Sequence, residues 1–124
     1  MDNHGKITFA IYNPGWHAIT IPWANRIIDT DWHHVVATYD GQKIKLYIDA
    51  VLLAERSTSG KLKTTSSPVY IGSEHPINYF GGALDEVAVY AKALTQAEVS
   101  QLYADTPNPG TGADYLISQW KLNE

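Results

Sequence analysis

The sequence has no cysteine. A disulfide frame and a thiolate metal site are therefore excluded, and the redox compartment cannot be read from cysteine usage. No apolar run approaches the roughly 18 residues that a membrane span needs, and residues 1–30 lack a basic-then-apolar leader pattern. Any export signal lies outside this stretch, and no membrane partner is expected. Neither a Lys/Arg cluster nor an acidic run is present, and the formal net charge is -4, so a phosphate backbone would meet little attraction and nucleic acid is not an expected partner. No internal repeat of fixed period occurs. What is present is a chain of 124 residues, about one domain, with 44% hydrophobic and 18% charged residues, the composition of a globular protein. Four Trp and eight Tyr supply aromatic surface, some of which can face a ligand.

Periodicity of two dominates. Lys6 to Asn13 alternates Ile7, Phe9 and Ile11 against Lys6, Thr8, Ala10 and Tyr12, followed by an Asn-Pro-Gly turn. A weaker strand is expected around Ala18 to Ile21, ending at Pro22 on an edge or bulge. Strands over 33–39 and 43–49 flank Asp40-Gly41, which tolerates the positive φ of a hairpin turn. Ile44, Leu46 and Ile48 share the core face of the second strand, with Lys43, Lys45 and Tyr47 on the other. A strand from Leu52 to Arg56 follows a turn at Asp49-Ala50, where Ala50 is expected to carry strain. "VYIGS" (69–73) and "GALDEVAVY" (82–90) read as further strands, and "LTQAEVSQLY" (94–103) as a short helix. Thr95 is its cap, Glu98 reaches back to the cap amide, and Leu94 and Val99 form the staple. "TPNPGTG" reads as a linker before a last strand, "DYLISQWKL". Many short strands and one helix predict an all-β sandwich of the jelly-roll kind.

Four stretches, "DWHHVVATYDGQKIKLYIDAVLLA", "VYIGS", "FGGALDEVAVYAKALTQAEVSQLY" and "YLISQWKLNE", resemble the laminin G-like, concanavalin A-like jelly-roll family. That resemblance implies two antiparallel sheets with one short helix. It is specific for fold and unspecific for ligand, because such domains bind sugars, proteins or lipids. Ala50 stands where the family has glycine, and by resemblance the opening N-terminal strands are missing. The expected division is a domain over 1–106, a linker over 107–112, and a terminal strand over 113–124. This last strand resembles the family's first and pairs beside residues 82–90, in its own chain or by exchange. The resemblance implies a noncatalytic carbohydrate-binding or adhesion module of a secreted bacterial protein, extracellular or at the cell surface, with a carbohydrate or an extracellular protein as partner. The alternative is a structural or oligomerising domain with no small ligand; a homo-oligomer is expected because open sheet edges invite a second copy.

Asp85-Glu86 admits three readings. As a catalytic pair it fails, since adjacent strand residues face opposite ways. It can serve hydrogen bonding at a sheet edge, or Asp85 with Asn123 can hold a structural calcium. Trp32 is expected to plug one end of the core while His34 hydrogen-bonds within it, and His33 is given no ligand role, because neighbouring histidines on a strand diverge. Glu74, His75, Asn78 and Tyr79 lie in the loop that carries acidic ligands in the calcium-dependent pentraxin branch. Glu74 fits that pattern, whereas Pro76 stands where an acid is wanted, and a plain surface loop is the other reading. Tyr12, Trp16, His17 and Trp23 read either as a sugar-stacking platform or as core of a short domain.

Overall fold

The computed structural model describes residues 5–74, 77–104 and 116–120, with Glu74 and 116–120 as backbone. Strands β1 (Thr8–Tyr12) and β2 (Trp16–Thr20) form a hairpin, and β3 (Val35–Tyr39), β4 (Lys43–Ile48) and β5 (Val51–Ser57) form a three-stranded antiparallel sheet. A small ladder joins β6 (Ser73–Glu74) to β7 (Ile77–Tyr79). Helix α1 (Gln96–Ala104) follows β8 (Val87–Tyr90), which pairs antiparallel with β9 (Leu116–Trp120) in the order Val87 to Trp120 and Tyr90 to Leu116. Strands in antiparallel sheets with one helix make the described part of the chain an all-β fold, as expected.

The hairpin lies on one face of the three-stranded sheet. Ile11, Ile19 and Ile21 from the hairpin side meet Ile44, Leu46 and Ile48 from β4, the face expected from their alternation. The opposite face is not left to solvent. Tyr47 is buried there with Leu94, Val99 and Leu102 of the helical segment, and Val36 and Tyr90 pack against them. Strand β4 is therefore apolar on both sides at its C-terminal end, and each fully buried side chain contributes roughly 1.5 to 3 kcal/mol. The α1 staple forms as expected, with Leu94 and Val99 both in this second core. The cap is one-sided: Thr95 Oγ1 accepts the Glu98 N–H at 3.2 Å, but the Glu98 carboxylate turns to Lys92 Nζ at 2.6 Å instead of reaching back.

Turn chemistry explains the registers. Gly41, at φ 92°, opens a Gly41-Gln42 loop closed by the Asp40 N–H on Lys43 O, and Asp40 Oδ1 accepts both the Gln42 and Lys43 N–H groups. Between β4 and β5, Ile48 pairs with Val51, leaving a two-residue turn with Asp49 at φ 50° and Ala50 at φ 66°. Ala50 thus carries the expected positive φ. A shift of register between Leu46/Ala54 and Tyr47/Leu52 makes Leu53 a bulge residue, partly buried against the first core.

Several expectations are corrected. Residues 69–72 form no strand; the pairing begins at Ser73. Strand β8 begins only at Val87, because Glu86 sits at φ 52° and its N–H is taken by Asp85 Oδ1 at 2.8 Å, which ends extended geometry before the strand. The two carboxylates thus precede the strand and do not alternate across it. Trp32 is no core plug; it is 70% exposed. His34 is half-buried but its Nδ1 has no partner, so it fills space beside Tyr103 without making the expected internal bond.

Candidate functional site

On the β1–β2 hairpin, directly paired residues point to the same side. Ile11/His17 and Phe9/Ile19 face inward, while Tyr12/Trp16, Ala10/Ala18 and Thr8/Thr20 face outward. The outer face is therefore a strip running from an aromatic pair, across two alanines, to two hydroxyls joined at 2.8 Å. Trp16 is 74% exposed and meets Tyr12 edge-to-face, with centroids 5.4 Å apart and planes at 74°.

The tip is braced from below. Buried Asn13 donates through Nδ2 to Tyr39 Oη at 3.1 Å and to Ser59 O at 2.8 Å, and the Tyr39 hydroxyl donates to Gly60 O. Gly60 is required here: at φ 120°, a Cβ would come 2.7 Å from Asn13 Oδ1. Lys63 then donates its N–H to Tyr12 O at 3.3 Å and sets its ammonium 5.6 Å from the Tyr12 ring centre. The Asn-Pro-Gly turn was legible in the sequence, but the bracing by Tyr39, Gly60 and Lys63, some 26 to 50 positions on, carries no local signal.

His17 points inward, donating Nε2–H to Asn13 O at 3.2 Å, and does not join the strip. Trp23 lies beyond the opposite end of β2 in a 3₁₀ turn (Trp23–Asn25), with the Arg26 guanidinium 4.2 Å and Lys6 Nζ 5.0 Å from its ring centre. The four aromatic and His candidates thus divide into the Tyr12/Trp16 pair, an inward His17, and a separate Trp23. Asn78, at φ 55°, and exposed Tyr79 belong to the β6–β7 ladder; Glu74 is described by its backbone only, and His75 and Asn123 lie outside the described residues. Asp85 holds its own neighbour's N–H. No group of three or more His, Cys, Asp or Glu side chains fit to hold a metal is found among the described residues.

A second feature has no precursor in the sequence reading. A groove of about 260 Å³ lies between the 3₁₀ turn and the β4–β5 turn, floored by Ile27, Ile48, Val51 and Leu53 and rimmed by Asn25, Arg26, Asp29, His33 and Asp49. His33 bridges two carboxylates: Nδ1 lies 2.7 Å from Asp49 Oδ2 and Nε2 2.8 Å from Asp29 Oδ1. Ionised carboxylates only accept, so both nitrogens donate and the ring is an imidazolium. The Asp49 bond first, and the Asp29 bond second, raise the His33 pKa above its ordinary value, while the His33 bond holds Asp29 below the usual carboxylate range. Asp49 also accepts the His34 N–H at 2.9 Å and gives its own N–H to His34 O at 2.8 Å, which ties the turn to the start of β3.

The laminin G-type family described as the concanavalin A-like lectin/glucanases superfamily matches residues 1–100, and the chain belongs to it. Among solved structures, it is similar to residues 221-444 of an S-layer domain-containing protein from Clostridium thermocellum ATCC 27405. That likeness has 27% identity and a TM-score of 0.57, and it covers 80% of this chain and 52% of the other. The chain thus spans about half the length of that solved chain. No curated protein matches. No helix among the described residues is long and apolar enough to cross a membrane.

Proposed function

We propose that this chain is a noncatalytic binding module of a secreted or cell-surface bacterial protein, and that it holds carbohydrate on the outer face of the β1–β2 hairpin. The observation that carries this reading is Trp16, 74% exposed yet braced by Tyr12. Unlike exposed Trp32, this indole is held against a second aromatic ring on a paired strand, and a sugar ring offers the C–H face that stacks on indole and the hydroxyls that pair with threonine. Alanines 10 and 18 keep the strip flat between the two. Likeness to an S-layer domain protein supports the extracellular placement.

Chemistry supports the noncatalytic part. A glycosidic general acid needs a raised carboxyl pKa. Asp29 is shifted the other way by His33, and the imidazolium stands between Asp29 and Asp49 where a scissile bond would have to sit. A glycan array read with the intact chain and with Trp16→Ala tests the proposal. Glycan binding lost in Trp16→Ala, with an unchanged melt, is the expected result; equal binding by both proteins would remove the strip as the site. The second reading, an oligomerising domain, is favoured by the exposed apolar side chains of Val69, Tyr70, Ile71 and Ile77. A concentration-dependent dimer without any glycan response would select it.

A further inference from the structure

We infer that the groove beneath Asn25 and Asp29 is a second binding site, for a neutral hydroxylated ring such as one sugar unit, separate from the hairpin strip; this rests on the carbohydrate reading above. Three observations carry it. The floor of Ile27, Ile48, Val51 and Leu53 is apolar, and its volume of about 260 Å³ is near the lower end for small-ligand pockets, room for one ring. The rim offers unspent hydrogen-bonding capacity of both signs. Asp29 Oδ1 takes the His33 Nε2 and Asp31 N–H bonds while Oδ2 accepts none among the described residues. Arg26 spends Nη1 on Trp23 O at 3.1 Å and sets its guanidinium carbon 4.2 Å from the Trp23 ring centre, two contacts that hold the guanidinium and leave other N–H groups over. The exposed Asn25 amide, which bonds to no described residue, adds a donor and an acceptor. A hydroxyl both donates and accepts, so this mixed rim suits a polyol. A charged ligand gains nothing here, because Arg26 and the His33 imidazolium are balanced by Asp29 and Asp49.

His33 is the positioning residue. Both its ring nitrogens are spent on carboxylates, and through them it fixes Asp29 of the loop before β3 to Asp49 of the β4–β5 turn, so the rim is held before anything binds. The charged and titratable groups around it are these two carboxylates, Arg26 across the groove, and His34 beside it in sequence. On deprotonation one nitrogen ceases to donate, one carboxylate is released, and the rim loosens.

The test is an amide chemical-shift titration of the intact protein with cellohexaose, xylohexaose and N-acetylchitohexaose, at about pH 6 and about pH 9, either side of the imidazole titration. At least one of these should move the amides of Asn25, Arg26 and Val51, several-fold more weakly at the higher pH. Asn25→Ala should weaken these shifts several-fold, His33→Gln should remove their pH dependence, and Trp16→Ala should leave them in place. Shifts confined to residues 12–18 would overturn the groove and leave the hairpin strip standing. Groove shifts unaltered by Asn25→Ala would also overturn it. No shift with any of the three sugars would remove both sites.

Discussion

Residues 43–48, "KIKLYI", and residues 68–73, "PVYIGS", both carry short runs rich in β-branched and aromatic side chains, yet they meet opposite fates. The first becomes the most buried strand of the molecule, with Ile44, Leu46 and Tyr47 almost inaccessible. In the second, Val69, Tyr70 and Ile71 stay exposed and only Ser73 enters a ladder. The difference is in what stands beside them. Strand β4 has β3 and β5 attached through tight turns, the hairpin on one face and α1 on the other. No described strand is placed beside 69–72. A strand pattern is a capacity to pair, and it becomes structure only where local turns deliver a partner.

The sharpest way to break that comparison is to truncate leucines in the two regions. Leu46→Ala should cost about 2 to 5 kcal/mol, as a cavity in a core closed on all sides. Leu62→Ala, half exposed in the segment before 69–73, should stay within about 0.5 kcal/mol, and so should Trp32→Ala at 70% exposure. Urea midpoints read both. A large loss at Leu62 or Trp32 would mean that these side chains are covered in solution, as by a second copy, and the contrast would vanish.

Next in size is Gly5→Ala. Gly5 sits at φ 72°, accepts the Ile27 N–H at 2.7 Å, and approaches so closely that an added Cβ would overlap the Ile27 carbonyl. The variant should lose about 2 to 4 kcal/mol by forcing this backbone contact apart. Since Ile27 floors the groove, the amides of 25–29 should shift as well. A melt like the parent's would show that residue 5 is not docked there.

Ala50→Gly works in the other direction. Glycine relieves the positive φ at the turn that delivers β5 to β4, and the Gln96 bond to Ala50 O at 2.8 Å uses only the backbone and survives. A gain of about 0.5 to 1 kcal/mol is expected. A loss would mean that Ala50's methyl, packed against the Tyr47 cluster, outweighs the strain.

What the sequence disclosed follows the same division. The three-stranded sheet, its two turns, the strain at Ala50 and the inward face of β1 were legible, because each rests on contacts between neighbours in sequence, whereas the register shift at Leu53 was not. Trp32 was misjudged because a Trp opening a strand gives no sign of which side it will take. Tyr47 was placed on the polar face with Lys43 and Lys45, whereas helix α1, remote in sequence, turns that face into a second core. The Tyr12/Trp16 platform could be named but not separated from His17 and Trp23, since strand pairing decides which of them share a side. The Asp29–His33–Asp49 bridge was invisible. His33 looked like a solitary histidine until the β4–β5 turn brought Asp49 to it across 16 positions.

That bridge gives the smallest expected effect and the finest test, because adjacent His33 and His34 titrate in opposite senses. His33 gains Asp49 and Asp29, so its folded pKa lies above the unfolded value of about 6.5. The stability it contributes is fully present below that value and is lost as pH rises through the raised one. Burial lowers His34 below the same reference, so its contribution is present above about 6.5 and is lost as pH falls through the depressed value. Asp29, also lowered, matters only in acid beneath the carboxylate range. The two windows lie on opposite sides of about 6.5, so both contributions are present near that pH, and the parent's melting temperature should peak there and fall on either side. His33→Gln should remove the alkaline limb and keep the acid one, giving a protein whose melting temperature still falls on acidification below about pH 6.5 but no longer falls through the raised His33 value. His34→Gln should remove the acid limb and keep the alkaline one, giving a protein whose melting temperature falls only as the solution is made alkaline. If both variants instead followed the parent's profile, the carboxylate bridge would not be formed in solution, and the groove rim would lose the residue that holds it.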